Sequence, residues 1–292
     1  MATTMTEATT EQRCDNHAVT DRLADFRAVF AEVVAARGAC RDPRIKAAFA
    51  KVPRHEFLDP GPWRLAEDGT ATESDDPAIV YQDLGLEIAR GMALPTGLPS
   101  LHARLLDACR LAAGEQVVHV GAGRGYFTAI MAELVGTKGV VRAFEIEPGL
   151  AEMARRSLAQ WPQVHVEARS GTGEHGAADA IYVSAGVQQI PLAWLRSLRE
   201  GGRLLLPLVP GDGEGGVLLV TRGPRGFAAR FVAPARFVPC IGATDSEAMG
   251  RLRAAFGQGD ADSVRSLRLV PEASEGSCWF AGSGWWLCRT EA

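Results

Sequence analysis

The sequence predicts an α/β protein with a doubly wound, mostly parallel sheet, preceded by helices and followed by an antiparallel extension. From Gln116 to Pro207, short continuous apolar runs alternate with segments of helical period, the pattern of parallel strands covered by helices on both faces. A glycine-rich turn, Gly121-Ala122-Gly123-Arg124-Gly125, stands between the first such strand and its helix. The length of 292 residues, 47% of them hydrophobic, is ample for a buried core in one or two domains.

Before the alternating region the chain is helical. Leu23, Phe26, Phe30 and Val33 recur at helical spacing, predicting an amphipathic helix from about Thr20 to Gly38. Asp42-Pro43 supplies an N-cap and a first-turn proline for a second helix, which Ile45, Ala48, Phe49 and Val52 line and Pro53 stops. Residues 59–77 and 91–100 are rich in loop formers, and the second loop leads into a helix over 101–111.

The alternating region then gives strands at 117–120, 140–146, 164–168 and 180–185. Between them lie helices carrying Phe127, Ile130, Met131, Leu134 and Val135, and GLAEMARRSLAQW over 149–161. WLRSL (194–198) continues the helical face, and Gly201-Gly202 turns into a strand over 203–209. The rest is strand-like at 217–222, 229–238, 264–270 and 278–288. Residues 1–19 have the composition of a disordered tip.

Charge and cysteine usage narrow the function classes. With 31 Lys plus Arg against 35 Asp plus Glu, the net charge of −4 opposes nucleic-acid binding by phosphate neutralisation. No apolar run reaches membrane-span length, and the first twenty residues lack the apolar core of a secretory signal. Six cysteines without a C-x-x-C pair fit reduced thiols in a cytoplasm. His17, His55, His119, His165 and His175 show no mutual metal-ligand spacing, so no metal is expected.

The glycine turn is the sharpest feature. Glycines let the backbone approach a ligand, and the following helix N-terminus presents free N–H groups. Glu145 closes the next strand, where a carboxylate can accept from the hydroxyls of a ribose. A dinucleotide fingerprint wants Gly or Ala at the sixth position, whereas this chain has Tyr126. A nucleoside cofactor without a pyrophosphate remains, and S-adenosyl-L-methionine (SAM) is the candidate.

Five segments in order resemble the protein-L-isoaspartate O-methyltransferases: DPRIKAAFAKVPRHEFL (42–58), YQD (81–83), PSLHA (99–103), VVHVGAGRGYFTAIMAELVG (117–136) with FEIEP (144–148), and IPLAWLRSLREGGRLLLPL (190–208). RFVPCIGA (236–243) matches the segment the family carries after its sheet. The resemblance implies a Rossmann-like class I methyltransferase fold and carboxyl methylation of isoaspartyl residues, a protein-repair reaction. It places Gly121, Ala122, Gly123, Gly125, Glu145, Gly171, Thr172 and His102 around SAM, and Asp83 toward the acceptor. The implied domains are an N-terminal helical and acceptor-loop region (20–115), a SAM-binding domain (116–243) and a C-terminal extension (244–292).

The chain departs from the family at two loops. Family members carry Thr-Ile-Ser before the proline, and here Gly97 stands where the serine would be, leaving Thr96 or Ser100 as the nearby hydroxyls and, with Asp83, the catalytic candidates. A family Gly-Asp-Gly-Thr turn is Arg169-Ser170-Gly171-Thr172 here, without the carboxylate. Two alternatives follow: O- or N-methylation of a small metabolite or peptide natural product, and a non-catalytic SAM-binding module. Expected partners are thus a protein, peptide or small-molecule acceptor, with neither nucleic acid nor membrane.

Overall fold

The computed structural model describes residues 7–65, 73–92, 94–211, 214–269 and 278–292, with backbone alone for 7–21. Expectations falling on residues 1–6, on 66–72 and 93 in the two loops, and on residue 270 lie outside the described residues. The chain divides into two compact units, Met1–Arg104 and Leu105–Ala292.

In the first unit, helix α1 runs Glu7–Arg37. It extends well before Thr20, into the segment expected to be disordered. Between Glu7 and Arg37 no glycine or proline interrupts the helical run. Phe30 is buried and meets Phe49 and Tyr81 edge-on, with ring centroids 6.1 and 5.8 Å away. Helix α2 (Pro43–Lys51) starts as its sequence dictates: the Asp42 carboxylate accepts from the Arg44 amide, and Pro43 occupies the first turn. A 3-10 turn over Arg54–Phe57 follows. The expected loop holds a two-residue ribbon, β1 (Trp63–Arg64) against β2 (Glu73–Ser74). Helix α3 (Pro99–Cys109) begins two residues before its predicted start, because Pro99 fits a first helical turn.

The second unit is a ten-stranded sheet. Its parallel half comprises β3 (Gln116–Val120), β4 (Val140–Glu145), β5 (Val164–Ala168), β6 (Ala178–Val183) and β7 (Leu198–Leu208). Helix α4 (Tyr126–Val135) follows β3, α5 (Pro148–Ser157) follows β4 and α6 (Leu192–Ser197) follows β6, while β5 leads to β6 through a loop. In space the order is β7-β6-β3-β4-β5. The chain winds outward from β3 through β4 to β5, then returns to the other side of β3 as β6. That reversal between β3 and β6 is the switch point where open α/β sheets bind ligands, outside the carboxyl ends of the strands.

Beyond β7 every pairing is antiparallel, through β8 (Gly215–Arg222), β9 (Phe227–Ala235), β10 (Ser266–Leu269), β11 (Cys278–Ala281) and β12 (Trp285–Cys288). Two features differ from the sequence reading. Gly201-Gly202 makes no turn into a new strand. The pairing of β6 with β7 jumps from Ala178↔Leu198 to Ala180↔Arg203, so the glycines absorb a bulge inside one long strand. A helix α7 (Ser246–Gly257) also interrupts the strands; Asp245 caps it by accepting from the Glu247 and Ala248 amides. Trp279 and Trp285 are buried in the C-terminal aromatic packing, Trp279 against Phe231 and Phe256, Trp285 against Phe280. Among the described residues no helix is long and apolar enough to cross a membrane.

Candidate active site

The glycine turn leaves β3 at the switch point. Gly121, Gly123 and Gly125 have φ of 78°, 56° and 95°, the left-handed region that side chains resist. Gly121 and Ala122 donate to the Phe144 carbonyl at 2.9 and 3.1 Å, tying the turn to the end of β4. Gly125 donates to the Ala122 carbonyl and caps α4; a Cβ there would stand 2.6 Å from Leu158 Cδ1. Tyr126, the bulky sixth position, is buried at the start of α4.

Glu145 meets this turn directly. One carboxylate oxygen accepts from the Gly123 amide at 2.7 Å, and the other accepts from Glu147 N–H at 3.0 Å. The side chain is buried, and burial pushes its carboxyl above the ordinary range, opposed by the N–H groups of Glu147, Gly123 and Ile146. Each oxygen keeps lone-pair capacity for a further donor. A carboxylate so held beside a glycine loop suits the hydroxyls of a ribose.

The loop after β5 lies at the same end of the sheet. Gly171 packs so closely that a Cβ would come within 2.9 Å of Val120 Cγ1. Its carbonyl accepts from His175 Nε2 at 2.7 Å and from buried Trp194 Nε1 at 2.8 Å. The Ser170 and Thr172 hydroxyls bond each other at 2.9 Å, and the Arg169 guanidinium covers the Phe144 ring at 4.6 Å.

The segment 236–243 also crosses here. Gly186 donates to Val238, and Cys240 donates back to Gly186. A Cβ on Gly242 would lie 3.3 Å from the Thr172 hydroxyl. Burial, then the Glu145 carboxylate, push the Cys240 thiol up to about 11, so at neutral pH it is protonated and no nucleophile. His119, in β3, is engaged on both sides by Thr128 and Ser184 at 2.8 and 2.9 Å, and burial pushes it down to about 3, which keeps it neutral.

In the first unit, the Asp83 carboxylate accepts from the Ser100 amide at 2.8 Å and pairs with Arg37 at 3.2 Å. It is therefore buried at the N-terminus of α3 and is no surface-turn residue. His102 is buried in the same helix and donates its amide to Leu98. The Thr96 hydroxyl accepts from Leu86 N–H at 3.1 Å and from Arg54 at 3.2 Å. Arg54, in the segment 42–58, has no role legible from the sequence. It is buried, and its guanidinium also donates to the carbonyls of Val80, Gln82 and Leu84. One side chain thus organises the loop that carries Asp83 and Thr96.

The family model for protein-L-isoaspartate(D-aspartate) O-methyltransferase matches residues 27–245. The chain belongs to this family. It is 35% identical over 219 residues to protein-L-isoaspartate O-methyltransferase 2 of Anaeromyxobacter sp. (strain Fw109-5), covering 73% of this chain and 82% of that relative. It is 34% identical over 200 residues to the protein-L-isoaspartate O-methyltransferase of Gloeobacter violaceus, covering 67% and 88%. A solved protein-L-isoaspartate O-methyltransferase shares the fold at TM-score 0.63, with 24% identity and coverage of 84% and 74%. A putative Plasmodium falciparum member, solved with S-adenosyl-L-homocysteine, superposes at TM-score 0.59, with 19% identity and coverage of 73% and 97%. Helix α7 and strands β10 to β12 lie outside the matched range.

Proposed function

We propose that the chain transfers the methyl group of SAM to the free carboxylate of an isoaspartyl residue in a protein or peptide. The observation that carries this reading is the Gly123 N–H bond to Glu145 at the switch point, within a chain of this family. Gly121, Ala122, Gly123 and Gly125 would hold the methionyl part of SAM, Glu145 would accept from its ribose hydroxyls, Gly171 and Thr172 would flank its adenine, and His102 would be a further cofactor residue. Asp83, Thr96 and Ser100 belong to the acceptor side, where Asp83 and Thr96 position backbone through the bonds described above.

Bound SAM supplies an activated methyl group on a sulfonium, so the leaving group needs no acid. An isoaspartyl carboxylate, with a pKa of about 4, is ionised at neutral pH and needs no general base. The chain's own task is to place that oxygen about 3 Å from the methyl carbon, in line, and to keep water away. Neutral His119 and protonated Cys240 fit a site without proton transfer or a covalent intermediate.

Transfer of labelled methyl from SAM to an isoaspartyl peptide tests the reading, with Gly123→Val as control. A β-branched side chain at φ 56° distorts the turn, so both SAM binding and transfer should be lost. Unchanged SAM affinity in that variant would move the cofactor elsewhere.

A further inference from the structure

A groove of about 950 Å³ opens at the other rim of the large sheet, where β7 begins, β8 ends and β9 begins. The glycine turn and Glu145 lie at the carboxyl ends of the parallel strands, so the groove is a separate place. Part of its wall is Leu267, Arg268 and Leu269 of β10, which lies outside the range matched by the family.

Its chemistry is lopsided. Five arginines line it, Arg196, Arg199, Arg222, Arg225 and Arg268, with one carboxylate side chain, Glu200, in a chain of net charge −4. Arg199 is paired with Asp179 at 2.7 Å. Two others are fixed without a carboxylate: Arg222 donates to the Leu198 carbonyl at 2.6 Å, and Arg268 to the Thr290 hydroxyl and Glu291 carbonyl at 3.0 and 2.7 Å. Arg196 and Arg225 are exposed, and neither guanidinium has an ion-pair partner among the described residues. Half-buried Leu192, Phe227 and Leu269 line the same groove. Guanidinium forks match carboxylates, and the apolar residues of the lining suit the side chains that separate carboxylates along a peptide.

We propose that this groove is an exosite for an acidic segment of the polypeptide being methylated, in which acidic and apolar residues alternate. The proposal rests on the isoaspartyl methyltransferase reading for the identity of its ligand. A strand of eleven residues, β7, separates the two rims. At about 3.3 Å per residue the span is roughly 25–35 Å, so about ten or more extended residues must separate the acidic segment from the acceptor residue.

Two measurements on the full chain test it. The first is fluorescence anisotropy of a labelled octapeptide of alternating glutamate and leucine, with wild type and Arg196→Glu/Arg225→Glu. Binding should weaken with salt, and should fall about tenfold or more in the double variant while SAM affinity is unchanged. Absence of binding, binding untouched by the double reversal, or tighter binding of single-stranded RNA than of the octapeptide would overturn the proposal.

The second measurement compares two isoaspartyl peptides of identical acceptor sequence, one carrying the acidic segment beyond a fifteen-residue Gly/Ser spacer (about ten residues being the minimum reach). The extension should lower KM about tenfold at constant kcat, and the double variant should erase that advantage without altering the short peptide's KM. An advantage that survives the double reversal refutes the exosite. If neither peptide is methylated, the activity reading fails, and the anisotropy result alone decides whether the groove takes an acidic peptide.

Discussion

Replacing Glu145 by alanine removes the acceptor of two backbone donors, Gly123 at 2.7 Å and Glu147 at 3.0 Å. Hydrogen bonds to a charged group contribute about 1.5–3 kcal/mol each. The upward-shifted carboxyl shows that burial cancels part of that gain, so the net stability loss should be about 1–3 kcal/mol. On the proposed assignment of Glu145 to the ribose, the same change should weaken SAM binding about 10- to 100-fold. Urea unfolding measures the first effect and isothermal titration calorimetry the second. A pH series adds a sign. The folded carboxyl lies above its ordinary value, so its contribution to stability is full at low pH and is lost as pH rises through the folded value. Glu145→Gln should therefore gain stability relative to wild type from pH 4.5 toward neutrality. SAM affinity should run the other way, falling on acidification at a higher pH than an ordinary carboxylate would give. Folded Glu145→Ala binding SAM within about twofold of wild type would refute the assignment.

Three further outcomes follow from named contacts. Arg54→Met should cost about 3 kcal/mol, because three carbonyls and the Thr96 hydroxyl lose their donor, and limited proteolysis should cut the 80–97 loop faster. Gly125→Ala combines a left-handed φ of 95° with a Cβ 2.6 Å from Leu158; a loss of about 1–3 kcal/mol in urea and weaker SAM binding are expected. His119 stays neutral when folded, down to about pH 3, whereas the unfolded side chain takes its proton near 6.5. Stability should thus fall by about 1.4 kcal/mol for each pH unit below that value, and His119→Gln should flatten the acid-unfolding profile.

The parallel half of the sheet was legible because its strands are buried on both faces and read as unbroken apolar runs such as VVHV. The glycine turn and Glu145 were legible for a related reason: the positive φ and the acid at a strand end follow from residue type and spacing. Arg54 was not, since a buried arginine acquires its meaning from carbonyls 26 to 30 residues away. Gly201-Gly202 carried two meanings, turn or bulge, and only the register against β6 chose between them. Helix α7 had its signal in Asp245, with Ala248, Leu252 and Ala255 buried at helical spacing. The segments on either side are strand-like, so the extension reads as continuous strand across it. Asp83 could be read as surface or acceptor residue until the Ser100 amide and Arg37 were found on its two oxygens.

The most direct test of the central claim offers labelled SAM to a peptide containing one isoaspartyl residue and to its aspartyl twin. The account predicts base-labile label on the isoaspartyl peptide alone, with Gly97 in place of the family serine notwithstanding. Folded, SAM-binding protein that labels neither peptide, or labels both equally, would contradict it.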